Sequence, residues 1–284
     1  MTAFDVIVVG AGLSGLTAAK VLAEAGRSVL VVEKEDTVGG RVRTETVDGY
    51  LVDRGFQLIN PAYPALRTEV DLEALDLKPF GHGVQVHTQQ GLKTLANPLR
   101  HPLLLPQTLA SGLVNVTDIV GLARFAASSP KKGAALGAEL DRLGVTGATR
   151  AKVLAPFLPG VVADDPDAVD AGIGQFLLTT FALGRPSVPS RGAQALSNQL
   201  AAAAKRAGAE IRTGVEAAVN NGAVDTPEGP ITARNIITAT APQDNGKTTR
   251  GLTTWWFRAD EAPSETPFVR IDATRSGPVV NTAV

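Results

Sequence analysis

The residues best placed to do chemistry lie near the start of the chain: glycines at 10, 12 and 15, an acid at 33, and a Gly39-Gly40-Arg41 step. Gly10-Ala11-Gly12-Leu13-Ser14-Gly15 spells G-x-G-x-x-G. In such a loop the first glycine permits a tight turn. The second lets the backbone approach a pyrophosphate, and the third lets a helix pack closely on its strand. The anion then rests on free N–H groups at the positive end of the helix dipole, so Ala11, Leu13 and Ser14 belong to the same cradle as the glycines. Glu33 follows about 20 residues on, where a carboxylate can accept hydrogen bonds from a ribose diol. A 2′-phosphate would be repelled there, because Lys34 is the one adjacent cation and Glu35 and Asp36 add negative charge. The site is therefore unsuited to NADP. An NAD dehydrogenase has no need of Gly39-Gly40-Arg41. A longer ligand, with a diphosphate bridging to a second large group, could use it: the glycine pair lets a loop pass close by, and Arg41 can neutralise phosphate charge.

These residues need a frame, and the sequence predicts one. Residues 4–9 are a β-branched apolar run suited to a strand buried on both faces. Residues 13–24 carry small and apolar side chains at helical spacing and stop at Gly26. Residues 28–32 form a second buried strand, which completes a βαβ unit with parallel strands. Further on, 84–87 and 92–95 read as a hairpin about Gln90-Gly91. The Pro-punctuated region 98–186 is largely helical, its main pieces being the Ala-rich stretch 119–143 and 171–183. The first texture returns after Arg191, with a helix over 194–207, a strand at 210–212, a hairpin of 223–226 with 231–233, and another buried strand at 236–240. Residues 252–258 and 268–272 read as strands of a second sheet.

Composition excludes several classes. The 284 residues are ample for two domains, and the net charge of -1 with scattered Lys and Arg gives no surface for nucleic acid. The absence of Cys removes disulfides, thiolate catalysis and Cys-ligated metals, and suits a reducing compartment. No apolar window reaches the roughly 18 residues of a membrane span, and the N-terminus lacks the form of a signal peptide. The expectation is a soluble, cytoplasmic protein.

With the two glycine elements in place, the chain resembles the flavoprotein superfamily of amine oxidases, phytoene desaturases and protoporphyrinogen oxidases, which carry a dinucleotide fold followed by G-G-R-x-x-S/T. The match here is Gly39-Gly40-Arg41-Val42-Arg43-Thr44. The likeness covers roughly residues 4–60 and 188–240. It implies a Rossmann-like α/β FAD-binding domain, made of 1–62 and 188–245, interrupted by a helical and mixed-sheet substrate domain of 63–187 and 246–284. It implies FAD as cofactor and a small-molecule substrate. Gly55, Phe56 and Gln57, after Asp53-Arg54, match the segment beside the isoalloxazine. Val215 matches a backbone position against adenine, and Ala239 the end of a strand that returns to the nucleotide. Pro189-Ser190-Arg191-Gly192 resembles a P-x-G-G turn, with Arg191 in place of the first glycine. The implied reaction is removal of two electrons from a carbon beside a heteroatom or double bond, with hydride passing to flavin N5. Oxygen or another acceptor then reoxidises the flavin. Amine and isoprenoid polyene both remain open as substrate, and no catalytic residue stands out.

Members of these families are usually longer, and the connection at 241–250 is brief and polar. A shortened nucleotide-binding or partner-binding remnant without turnover is the alternative reading. A homodimer and a peripheral contact with a membrane surface are both compatible with the sequence. His82, His87 and His101 lack metal spacing. Asp164, Asp165, Asp167 and Asp170 read as a solvated loop and helix N-cap. Trp255-Trp256, in a strand, would point to opposite faces, one into the core and the other free to line a substrate cavity. Leu103-Leu104-Leu105, between Pro102 and Pro106, reads as a buried corner in preference to an apolar lip for a greasy substrate.

Overall fold

The computed structural model describes residues 4–97, 99–240, 251–264 and 266–284. The chain divides into two compact units, Met1–Lys78 with Ser187–Thr248 and Pro79–Pro186 with Thr249–Val284. Residues 63–78, expected in the inserted domain, thus lie in the first unit. The boundary expected at 245 and the connection at 241–250 lie outside the described residues.

In the first unit, β1 (Phe4–Val9) leads through the glycine loop into α1 (Leu13–Glu24), and β2 (Val29–Val32) follows. A short hairpin, β3 (Thr44–Val47) and β4 (Tyr50–Asp53), and a short helix, α2 (Pro64–Glu69), come next. The chain returns with α3 (Gln194–Arg206), β5 (Glu210–Arg212), β6 (Ala218–Asn220), β7 (Ala223–Thr226) and β8 (Gly229–Thr238). The sheet order is β6-β7-β8-β1-β2-β5. β8, β1, β2 and β5 run parallel, while β6, β7 and β8 form an antiparallel meander. The hairpin strand expected at 231–233 and the separate strand at 236–240 are one continuous strand. Gly229 turns with φ 116° to begin it, and nothing between the two apolar runs breaks the extended chain.

The apolar runs Val6–Val9 of β1 and Val29–Val32 of β2 are buried on both faces, as their unbroken Val/Ile/Leu composition requires. One face packs Val6, Val8, Val29 and Val31 against Leu16, Ala19 and Ala23 of α1 and Leu196, Leu200 and Ala204 of α3. The other joins Ile7, Val9, Leu30 and Val32 to Val224 of β7. The small residues of α1 set its distance from the sheet, since alanine lets the helix backbone approach where leucine would hold it off.

In the second unit, strands Gly83–Thr88 and Gly91–Ala96 pair antiparallel, and Val269–Asp272 joins the former in parallel. The stretch expected to be helical over 119–143 is two helices, Val116–Ala127 and Leu136–Arg142. Pro130 and Gly133, with φ 78°, lie in the break. The helix at Ala171–Leu183 is capped by Asp170, whose Oδ1 accepts from Gly172 and Ile173 N–H, so the acidic cluster does supply an N-cap. Two expectations fail. Residues 252–258 form no strand, and Trp255 and Trp256 are 75% and 51% exposed, so neither ring is in a core. Strand propensity alone does not hold a strand without a partner. Leu103 is 92% exposed on a 3-10 turn, so the leucine run is no buried corner.

The burial pattern predicts a sharp contrast on α1. Leu16→Ala removes a fully buried side chain and is expected to cost roughly 2–5 kcal/mol. Val21→Ala, at a half-exposed position, should stay within about 0.5 kcal/mol. Urea unfolding of the two variants measures both.

Candidate functional site

The glycine loop is built by three different demands. Gly10 turns with φ 105°, and a Cβ there would lie 3.2 Å from the carbonyl carbon and oxygen of Ala239. A Cβ on Gly15 would stand 2.0 Å from the Gly10 carbonyl oxygen and 3.2 Å from the Ala239 Cβ. Both positions are closed by the protein itself, and the end of β8, where Ala239 N–H donates to the Val9 carbonyl at 2.8 Å, forms the wall. Gly12 is different. Its φ of -74° is open to any residue, and a Cβ would meet nothing within 4 Å. The backbone faces open space at the N-terminus of α1, where no side chain caps the helix. The first-turn N–H groups and the helix dipole favour an anion there.

Glu33 sits at the end of β2, 7% exposed. Its Oε2 accepts from the Ala11 N–H at 2.7 Å, and its Oε1 accepts from the Glu35 N–H at 3.1 Å. The acid expected to meet a ribose therefore also fixes the glycine loop, joining two adjacent strands through one carboxylate. Lys34 is exposed. Val215 lies beside Glu33, and its N–H donates to the Glu33 carbonyl at 2.9 Å.

The second glycine pair faces the first loop. Gly39 N–H donates to the Ala11 carbonyl at 2.8 Å and bridges in parallel to Gly12. Gly39 has φ 119°, and a Cβ there would lie 2.6 Å from the Val42 carbonyl oxygen. Gly40 has φ 58°, and a Cβ there would lie 3.4 Å from Gly12 Cα. The two glycine elements thus pass within van der Waals reach at the mouth of the cradle.

The two arginines that follow differ. Arg43 is 9% exposed and pairs with Glu35 at 3.0 Å and Asp36 at 3.3 Å. Arg41 is exposed and makes no ion pair among the described residues. Arg43 holds the loop, and Arg41 is the cation an anion can use. Gln57 donates to the Arg54 carbonyl at 3.0 Å and reaches the Arg41 carbonyl at 3.5 Å, so the 55–57 segment folds back on the second loop. Gly55 makes the turn with φ 98°, and Phe56 is half-buried.

Sequence reading missed the clamp on this loop. Gln194 and Ser197 of α3 donate to the Val38 and Val42 carbonyls at 2.9 and 3.0 Å. Asp53 Oδ1 accepts from Thr44 Oγ1 at 2.5 Å and from the Ala193 N–H at 3.0 Å. Gly192, at φ 75°, passes so close to Thr44 that a Cβ would lie 2.4 Å away, which gives the Arg191-Gly192 turn its glycine. The available signal was Gln194 and Ser197 three residues apart, on one face of a helix. A cavity of about 350 Å³ lined by Leu75, Arg191, Gln194 and Gln199 lies beside the clamp and shares no residue with the glycine loops themselves. Elsewhere, the His82 and His101 rings meet edge-on at 5.1 Å and His87 Nδ1 lies 3.5 Å from Asp272, without a metal-binding group among the described residues.

Comparison with known proteins places the chain in a family. The family described as flavin-containing amine oxidoreductase matches residues 13–221. Putrescine oxidase from Kocuria rosea is 51% identical over 67 residues, 24% of this chain and 14% of that protein. The 4,4′-diapolycopene oxygenase of a Methylomonas species is 56% identical over 50 residues, 18% of this chain and 10% of that protein. A solved oxidoreductase from Methanosarcina mazei superposes with a TM-score of 0.63 at 21% identity, over 82% of this chain and 58% of its own. That likeness is one of fold, and this chain spans a little over half of that protein's length.

Glu33→Gln tests the carboxylate's part in the loop. The amide has one acceptor oxygen for two N–H donors, so one donor faces an NH₂ group. The expected loss is about 1–3 kcal/mol in urea unfolding. Unchanged stability would show that the loop does not depend on the charge.

Proposed function

This chain belongs to the flavin-containing amine oxidoreductases, and from that premise we propose that its first unit holds FAD across the two glycine loops and that the protein is an FAD-dependent oxidoreductase. The observation that carries this reading is the open face of Gly12. Gly10 and Gly15 are closed off by the protein, while Gly12 meets nothing within 4 Å, opposite Gly40 and at an uncapped helix N-terminus. A packing role explains the first two glycines and leaves the third without a reason, whereas a pyrophosphate against bare backbone supplies one.

In this reading the pyrophosphate lies along Ala11 to Ser14, with Arg41 as its cation and Lys34 as a more distant one. Glu33 keeps the lone pairs its backbone donors do not use for the ribose. The Val215 carbonyl turns to the adenine, and Ala239 floors the site. Gly55, Phe56 and Gln57 line the approach of the isoalloxazine. When bound, the flavin supplies a two-electron acceptor for an activated substrate C–H. The chain's own part is to bind and orient: backbone N–H groups fix the phosphates, and the clamp from α3 fixes the second loop. The relatives' names support two substrate classes, an amine and an isoprenoid polyene. The cysteine-free chain suits a reducing, cytoplasmic setting.

The visible spectrum of the purified chain tests the cofactor. Oxidised-flavin bands at roughly 370 and roughly 450 nm, with FAD released on denaturation, are expected. A colourless protein that does not retain added FAD would sink the reading for this chain. Gly12→Ala refines the test. Its Cβ fits the fold without contact, so stability should hold within about 0.5 kcal/mol. The same methyl stands where the pyrophosphate would, so FAD affinity should fall at least about tenfold, a loss near 1.4 kcal/mol. Undiminished affinity would move the pyrophosphate elsewhere.

A further inference from the structure

The second unit carries a charge pattern unrelated to the glycine loops. Its residues 79–117 contain no Asp or Glu, nor do 171–186, although the chain as a whole has 28 acids against 27 Lys and Arg. The structure brings these two acid-free stretches together. Asn97 Nδ2 donates to the Ala182 carbonyl at 2.8 Å, the Arg100 guanidinium donates to the Leu183 carbonyl, and Arg185 Nε donates to the Phe80 carbonyl at 2.9 Å. The His82 and His101 rings stack edge-on between them at 5.1 Å. The His82 imidazole is held below its ordinary range, first by burial and then by Arg185, His101 and Arg100, so the charges acting on it are all cations.

The same place exposes leucines. Leu103 is 92% exposed on the 3-10 turn Pro102–Leu104, Leu99 is 66% exposed, and Leu183, at the end of its helix, is 55% exposed. Leu104 adds a partly exposed side chain. A single exposed leucine is ordinary. Four beside one cationic cluster, with no acid in either stretch, make a surface that is both apolar and basic.

We propose that this surface, residues 99–104 with the C-terminal end of the helix Ala171–Leu183, docks on an anionic phospholipid membrane. The leucines enter the boundary between headgroups and acyl chains, and Arg100 and Arg185 face the lipid phosphates. A leucine nine-tenths exposed on a tight turn suits a fluid apolar layer, which needs no matching groove. The contact is peripheral, since among the described residues no helix is long and apolar enough to cross a membrane. This inference is independent of the FAD reading, because none of its residues belongs to the cradle.

Flotation of the chain with lipid vesicles tests it. Binding is expected to vesicles containing about one-third phosphatidylglycerol and not to pure phosphatidylcholine, and it should weaken as salt rises. Leu103→Ser with Leu104→Ser should reduce binding at least about tenfold with circular dichroism unchanged, since neither side chain is buried. Arg185→Gln should reduce it about fivefold. Absence of binding to the anionic vesicles, or leucine variants that bind as the parent does, would overturn the proposal. So would equal affinity for heparin that ignores the leucine changes, which would make the surface a polyanion site.

Discussion

The cradle depends on how near α1 comes to the last turn of β1. A Cβ at Gly15 would stand 2.0 Å from the Gly10 carbonyl oxygen, a distance no real contact reaches. That approach puts the first N–H groups of α1 at the tip of β1, not a side chain's width away. The rest of the site follows from it. Gly10 must turn at φ 105°, into space bounded by Ala239, so β8 has to end where it does. Ala11 is fully buried, and its inward N–H needs an acceptor, because an unpaired buried donor costs about 1–3 kcal/mol. Glu33 supplies that acceptor from the end of β2. Sheet order makes this arrangement available: β1 lies between β8 and β2, so one neighbour provides the wall and the other the carboxylate.

The parts of this that are legible in the sequence are the local ones. β1, α1 and β2 show because period, composition and the three glycines agree within thirty residues, and the structure bounds them almost as read. The helix at Gln194–Arg206 and the strand at Glu210–Arg212 show for the same reason. The clamp on the second loop does not. Asp53 meets Ala193 across 140 residues and Ser197 meets Val42 across 155, and no periodicity reports a contact at that range. The distinction between Arg41 and Arg43 is hidden too. Two arginines two positions apart look alike until burial and the pairing with Glu35 and Asp36 separate them. The second unit was misread where strand propensity had no partner to satisfy it, at 252–258, and where a leucine run suggested burial, at 103–105.

The charges around the cradle then sort into two groups. Each inward member has partners within the protein: Glu33 accepts from the Ala11 and Glu35 N–H groups, Arg43 pairs with Glu35 and Asp36, and Asp53 accepts from Thr44 and the Ala193 N–H. These contacts tie the loops together, and a group so engaged leaves its partners only at a cost in free energy, so Arg43 and Asp53 are held within the protein while Glu33 keeps its remaining lone pairs. What remains on this segment is Lys34 and Arg41, both exposed, both cationic, and neither paired among the described residues. An uncapped helix N-terminus adds partial positive charge of the same sign. A frame that satisfies its own anions and leaves its cations outward is electrostatically incomplete in one direction. A diphosphate laid on the bare backbone of Gly12 is a ligand whose charge and shape complete it.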